Sequence, residues 1–386
     1  MNTLLAMTVW IIASAFGGVK TGALLGVDAS DLNRGLYEVD VDTGNAPLLH
    51  ELEVSMGALA VAPDGTLYGV VSVSSAVDEL VTIDPVSGDV SPVGTLGFNI
   101  VAGLTFAPDG TLYGFDNDQD VLIAIDLNSG KGVIVGYVGD VVGAGLASTS
   151  SGTLYLNGGV DGVVSLLTID VEGGEGTVVG PLGGDFTNTA GLEVIGEVLY
   201  ASAHDSIEKP YDSLVSLNSE TGEATKIGSY CPFEKECPYM HALAFLPGAG
   251  DADRDGDVDF DDYEFFVDCF GSLDDPDKSP YCAFLDADDD GDIDCDDWEA
   301  FIPNWTEDTD PPSLPICDCE DPPCACEGDA NGDGLVDPLD SGFVLSRFGC
   351  PVGTGDPSCD AADVNADGLV DPLDAGYVLA RFGTCE

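Results

Sequence analysis

Five stretches between residues 36 and 222 spell one pattern: LYEVDVDTG, LVTIDPVSG, LIAIDLNSG, LLTIDVEGG and LVSLNSETG, starting at 36, 80, 122, 166 and 214. Each is a strand that runs out into a glycine turn. Between them lie GALAVAPDGTLYGV, GLTFAPDGTLYGF, GLASTSSGTLYLN and GLEVIGEVLYAS. Each of these reads strand–turn–strand, with Pro-Asp-Gly forming the tight connection in the first two. Starts 42 to 48 residues apart, with four short strands per period, admit few folds and predict a β-propeller. The repeat count sets five blades over residues 22–248. The chain enters at GALLGVDAS (22–30) without the preceding strand, and that strand reappears as HALAFLPG (241–248). First and last segments then complete one blade, which closes the ring and hides its edges. The alternative is an open β-rich array. The A-P-D-G-x-L-Y repeats resemble those of generic secreted propellers, a fold that hosts many functions.

A second kind of repeat follows. GDANGDGLVDPLDSGFVLSRFG (328–349) returns as ADVNADGLVDPLDAGYVLARFG (362–383). Asp329, Asn331, Asp333, Gly334, Asp337 and Asp340 stand at positions 1, 3, 5, 6, 9 and 12 of a calcium loop, and Asp363, Asn365, Asp367, Gly368, Asp371 and Asp374 repeat them. Side-chain oxygens at 1, 3 and 5 converge on one ion, glycine at 6 permits the sharp turn, and position 12 closes the shell. Position 7, here Leu335 and Leu369, offers its carbonyl. The same grammar recurs upstream at Asp251, Asp253, Asp255, Asp257, Asp259 and Asp262, and at Asp286, Asp288, Asp290, Asp292, Asp294 and Asp297, with Asp257 and Asp292 at position 7. The expected cofactor is Ca2+; the rival reading of each loop is a solvated acidic run.

Position 12 is Asp in all four loops, one methylene shorter than Glu. Pro and close-set Cys in CDCEDPPCACEG keep a helix from preceding the third loop, so each unit is a loop plus its exiting helix. The helices carry apolar stripes: Tyr263, Phe266, Val267 and Phe270; Trp298, Phe301, Ile302 and Trp305; then Val344, Leu345 and Phe348 matching Val378, Leu379 and Phe382. One short helix cannot bury such a stripe, so the units are expected to pair. Loop starts are 35 residues apart in the first pair (251 to 286) and 34 in the second (329 to 363). A cysteine stands four residues before each second loop, predicting disulfides Cys269–Cys282 and Cys350–Cys359.

Duplicated loops of this form, each followed by one helix and joined by a short link, resemble type I dockerin domains. The endings VDPLDSGFVLSRFGC and VDPLDAGYVLARFGTC resemble the GC-type dockerin anchors of secreted bacterial proteins. The likeness covers 328–386 closely and 251–305 more loosely. It implies a calcium-folded module that docks onto a cohesin-like receptor on a scaffold or cell surface. Positions 10 and 11 depart from the cellulosomal type, with Pro338-Leu339 and Pro372-Leu373 replacing polar contact residues. Arg347 and Arg381 occupy matching helix positions and are expected either to touch that partner or merely to solvate the surface.

The fold class is therefore mainly β: a five-bladed propeller followed by small α-helical, EF-hand-like calcium modules at 251–305 and 328–386. Residues 306–327 read as a Pro- and Cys-rich linker. There Cys317, Cys319, Cys324 and Cys326 favour disulfides over zinc, because C-x-C spacing is tighter than common zinc knuckles. Cys231 and Cys237 are expected to pair in a loop, while Cys295 and Cys385 lack near neighbours. The twelve cysteines fit an oxidising compartment. At the N-terminus, an apolar run from Leu4 to Ile12 followed by Ala13-Ser14-Ala15 reads as a signal peptide over 1–15, implying secretion. Its alternatives are a buried strand or an uncleaved anchor. The run is too short to span a membrane comfortably.

Seventy-one Asp and Glu against ten Lys and Arg, a net charge of −61, exclude nucleic acid as the partner. A 44% hydrophobic content separates the chain from acidic disordered tails. Within the propeller, His50, His204 and His241 are the only histidines, too scattered to predict a metal site. Asp116, Asp118 and Asp120 read as a solvated inter-strand loop. No nucleophile motif or phosphate loop stands out. The expectation is an exported binding or display protein, its propeller facing an extracellular glycan or protein ligand, tethered through its tail. The alternative is a propeller hydrolase or lyase acting on extracellular polysaccharide.

Overall fold

A computed structural model describes residues 22–29, 34–74, 77–184, 186–205, 212–231, 238–248, 250–270, 282, 285–286, 293–306, 335–336, 338–350, 362, 364, 369–379 and 383–384. Twenty strands form five antiparallel four-stranded sheets. The second blade holds β4 (Met56–Val61), β5 (Leu67–Ser74), β6 (Val77–Ile83) and β7 (Val90–Thr95), and the third β8 (Val101–Phe106), β9 (Leu112–Asp116), β10 (Val121–Ile125) and β11 (Gly132–Tyr137). The fourth holds β12 (Val141–Ser148), β13 (Leu154–Val160), β14 (Val163–Ile169) and β15 (Gly176–Pro181), and the fifth β16 (Phe186–Ile195), β17 (Val198–Asp205), β18 (Asp212–Leu217) and β19 (Ala224–Ser229). The first blade is composite: β1 (Ala23–Asp28), β2 (Gly35–Val39) and β3 (Leu48–Glu51) are joined by β20 (Met240–Leu246). β20 pairs with β1 from Ala23↔Leu246 to Asp28↔Met240, as the sequence expectation required.

β20, β4, β8, β12 and β16 neighbour one another around the ring as its innermost strands. The core is five slabs, one between each pair of adjacent blades. Leu25 and Leu36 meet Met56 and Leu59; Leu80 meets Phe106; Phe115 meets Leu146; Leu166 meets Leu192; and Leu214 meets Leu24 and Leu243. Alternate residues of one strand enter opposite slabs, so both sheet faces are buried and the strands are more apolar than half-exposed ones. Each fully buried leucine contributes about 1.5–3 kcal/mol.

A feature the repeats carried unread locks the rim. The glycine ending each strand–turn repeat packs on the outermost strand of the preceding blade. A Cβ on Gly136 of β11 would lie 1.7 Å from Gly173 O, and one on Gly174 would lie 2.6 Å from Gly136 Cα. Gly94 with Gly130, Gly180 with Gly222 and Gly228 with Gly44 repeat the contact. In the fifth junction His50 takes the glycine's place beside Gly88, its Nε2 lying 3.0 Å from Pro85 O.

Beyond the ring, α1 (Phe260–Cys269) and α2 (Cys295–Phe301) share one core, in which Phe266, Trp298, Phe301 and Ile293 are buried. The disulfide Cys269–Cys282 forms as expected, with Cα atoms 5.5 Å apart. Helices α3 (Pro338–Leu345) and α4 (Pro372–Leu379) pack together over Val344, Val370 and Val378. A short ladder between β21 (Leu335–Val336) and β22 (Gly383–Thr384) clasps the two ends of this second module. The units pair, yet the buried stripe is narrower than its pattern. Val267, Ile302 and Leu345, at equivalent helix positions, are exposed, because two short helices cover only one turn-wide seam. Cys231, Cys295 and Cys350 are disulfide-bonded as well. Outside the described residues lie the signal peptide expected at 1–15, the linker cysteines, Cys237, Cys359, Cys385 and Arg381. No helix among the described residues is long and apolar enough to cross a membrane.

Candidate calcium loops and propeller faces

The first acidic loop is described most fully. Asp259 caps α1, accepting from Asp261 N–H at 2.7 Å, while Asp262 accepts the Asp259 N–H at 2.8 Å, a reciprocal capping box. The other oxygen of Asp262 accepts the Ala252 N–H (2.6 Å) and the Asp253 N–H (3.2 Å). Position 12 thus ties the loop's start to the helix. Asp297 and Asp374 repeat the capping contact alone, accepting the Asp294 and Asp371 N–H at 2.8 Å. All three carboxylates are buried.

Carboxylate oxygens of Asp251, Asp253 and Asp255 lie within 4.8 Å of one another, as do those of Asp257, Asp259 and Asp262. Two oxygens bound to one calcium at 2.3–2.6 Å can be separated by up to roughly 5 Å, so either trio has the span of one coordination shell. Asp251 is 1% exposed, and both its oxygens lack a hydrogen-bond partner. Burial, then the charge of Asp262, pushes its carboxyl up to about 8, and the nearby Gly256 N–H, short of a well-formed hydrogen bond, opposes the rise only in part. Burial likewise pushes Asp262 up to about 7 and Asp253 up to about 6, with further raising by neighbouring carboxylates. A buried, unpaired carboxylate among other carboxylates is stabilised by a cation, and an all-oxygen donor set suits a hard ion such as Ca2+.

Of the remaining expected ligands, Asp286, Asp297, Leu369 and Asp374 are described, Leu335 lies in β21 and Asp340 in α3. Asp288, Asp290, Asp292, Asp329, Asn331, Asp333, Asp363, Asn365 and Asp367 fall outside the described residues.

The first loop also touches the propeller where the innermost strands end. Gly196 N–H donates to Arg254 O at 3.2 Å, and Arg254 Nη2 donates to Phe245 O at 3.1 Å. Glu193 is buried beside Arg254; its carboxylate accepts the Val194 N–H at 2.9 Å and the Phe245 N–H at 3.0 Å. Burial raises the Glu193 carboxyl, and the Arg254 charge opposes the rise. A cavity of about 190 Å³ remains there, lined in part by Val61, Phe106, Ser148, Glu193, Arg254 and Phe265.

At the opposite face, the histidines scattered in sequence come together in part. His204 Nδ1 lies 2.7 Å from Asp212 Oδ1, and the Tyr239 ring stands edge-on to both His204 and His241. Asn188 Nδ2 donates to Tyr239 OH at 2.9 Å, and buried Asp28 accepts the Tyr239 N–H at 3.1 Å. Burial lowers the His241 pKa. His50 stays at the rim. Asp116, read in sequence as part of a solvated loop, is instead fully buried and accepts the Gln119 N–H at 3.0 Å; only the turn beyond it is solvated. Arg347, in the turn just past α3, folds back on that helix, donating to Phe343 O at 3.1 Å with its guanidinium 3.5 Å from the centre of the Phe343 ring.

The molecule is a five-bladed β-propeller carrying a tail of paired loop–helix units. Residues 327–382 match the dockerin type I domain, and this segment is a dockerin. Dockerins bind calcium and cohesin partners in modular assemblies, and proteins that contain them are typically extracellular or surface-bound. No curated protein matches the chain. Among solved structures, a nidogen/laminin complex chain is similar at 10% identity and TM-score 0.40, covering 58% of this chain and 98% of that one. A Bacteroides thetaiotaomicron protein of unknown function is similar at 13% identity and TM-score 0.42, covering 59% of this chain and 63% of that one. The calcium-binding protein regucalcin from Agrobacterium tumefaciens is similar at 17% identity and TM-score 0.35, covering 57% and 78%.

Proposed function

We propose that this is an exported modular protein whose propeller is a recognition or display domain, tethered by its C-terminal dockerin to a cohesin-like or surface receptor. Calcium is held by Asp251, Asp253, Asp255, Asp257 and Asp262, and by the equivalent residues of the three later loops. The observation that carries the tether is the paired-helix dockerin with apolar side chains left outside its core. Leu345, Phe348, Leu369 and Leu373 are exposed around a calcium-loop scaffold whose Asp374 is buried. Exposed apolar groups on a small charged module favour a protein partner. The test is capture of the full chain on immobilised type I cohesins, in calcium and then in chelator. Calcium-dependent capture that is lost from a chain ending at residue 327 supports the tether; equal capture in chelator refutes it.

A second reading rests on the His204–Asp212 pair beside Tyr239 and His241, groups suited to acid–base work on a glycan. Turnover of extracellular polysaccharides by the full chain, abolished by His204→Ala, would establish a hydrolase or lyase in place of a display domain.

A further inference from the structure

We infer that the first calcium loop is a built-in plug of the propeller: Arg254, held by the backbone of the closing blades beside buried Glu193, couples calcium binding at 251–262 to ring closure. The inference rests on calcium occupying that loop.

Position 4 of the four loops is Arg254, Asp289, Gly332 and Ala366. Only the first carries a long cation, in a chain with ten Lys and Arg in total. Arg254 sits at φ +65°, a left-handed conformation that favours glycine. Holding an arginine there costs about 1 kcal/mol or more and persists where surroundings over-determine it. The surroundings are the propeller. Arg254 O accepts from Gly196 at the end of β16, and its guanidinium reaches Phe245 O in β20, the strand that closes the ring. Glu193 joins the two strands from beneath by accepting the amides of Val194 and Phe245, and its charge faces Arg254. On either side, a Cβ on Gly196 would lie 3.2 Å from Asp255 Cβ, and one on Gly256 would lie 3.2 Å from Ile195.

Two candidate ligands, Asp253 and Asp255, flank Arg254 in the chain. The same three residues therefore have to satisfy the ion on one side and the propeller on the other. Calcium that fixes this backbone pre-pays the ordering of the plug, and a seated plug pre-orders the ligands; coupling of this kind is reciprocal. The first calcium pair is thereby a fixed cap on the propeller, distinct in role from the C-terminal dockerin.

The test uses the full chain, with hydrogen exchange followed peptide by peptide through a calcium titration. In the natural protein, peptides covering 251–262 and 240–246 gain protection at one shared calcium midpoint. Glu193→Gln and Arg254→Gly each raise the 251–262 midpoint by about tenfold, within the usual range of allosteric coupling. They leave the midpoint of the 329–340 loop unchanged. Arg254→Gly relieves the left-handed strain, so its loss of affinity cannot come from backbone misfit. A calcium response at 251–262 that never reaches 240–246, or two variants with the natural midpoint, overturns the coupling alone. No calcium response at 251–262 in the natural protein overturns the calcium reading of this loop, and the coupling with it.

Discussion

Asp251→Asn should shift the stability of the first calcium module in opposite directions with and without calcium. Asp251 is 1% exposed, and its two oxygens are unpartnered. Without metal, the substitution replaces an uncompensated acid by an amide that can donate to the oxygens of Asp253 and Asp255, within 4.8 Å. An unsatisfied buried group costs about 1–3 kcal/mol, so the variant should be more stable by that order in chelator. With calcium at a thousandfold excess over its dissociation constant, binding stabilises by about 4.1 kcal/mol, more than removal of the buried acid gains. The variant lacks an anionic ligand and forfeits most of that. The pH dependence has a definite sign. Asp251, Asp262 and Asp253 are pushed up to about 8, 7 and 6, above their unfolded values. Raised carboxyls add stability that is present in acid and lost as pH rises through the folded values. The metal-free module should therefore weaken as pH rises from about 4 to about 8, and the gain from Asn should be larger at the alkaline end. Tryptophan fluorescence in denaturant reads this directly, since Trp298 and Trp305 of the chain's three tryptophans lie in this module. A change of the same sign in calcium and in chelator refutes the reasoning.

Gly136→Ala should lower the propeller's stability, read from its melt, by about 1–3 kcal/mol or more, because its Cβ would stand 1.7 Å from Gly173 O. Gly57→Ala, whose nearest atom is 3.6 Å away, should be close to neutral by the same melt. Replacing Cys269 and Cys282 by serine opens a loop of sequence separation 13 and should destabilise the first module by about 3 kcal/mol. The C-terminal module's calcium titration should not move. Leu373→Glu, at a side chain 66% exposed, should leave dockerin folding intact while weakening cohesin capture; unchanged capture would remove this face from the proposed interface.

The blade count and the composite first blade were legible because each repeat carries its own turn chemistry and period, and the unpaired first segment had one complementary strand downstream. The gathering of the first loop's carboxylates and the Cys269–Cys282 bridge were legible for the same reason, since residue spacing and loop length are local. The helix stripes were read one residue too wide at Val267, Ile302 and Leu345. Periodicity identifies a face but not how much of it a short partner covers. Asp116 was misread because an acidic run looks solvated until a blade folds over its first member.

What no local pattern contained was who meets whom across the ring. Glu193 and Arg254 stand sixty-one residues apart (193 to 254), and nothing in either neighbourhood names the other. His204 and His241 come near a common tyrosine only because β20 returns to the first blade beside the fifth. Local sequence determined the strands, turns, acidic loops and their count, since these depend on spacing along one chain. Tertiary structure alone decided that one acidic loop is seated on the propeller floor and that the rim locks glycine to glycine, since both depend on ring closure bringing distant backbone into contact.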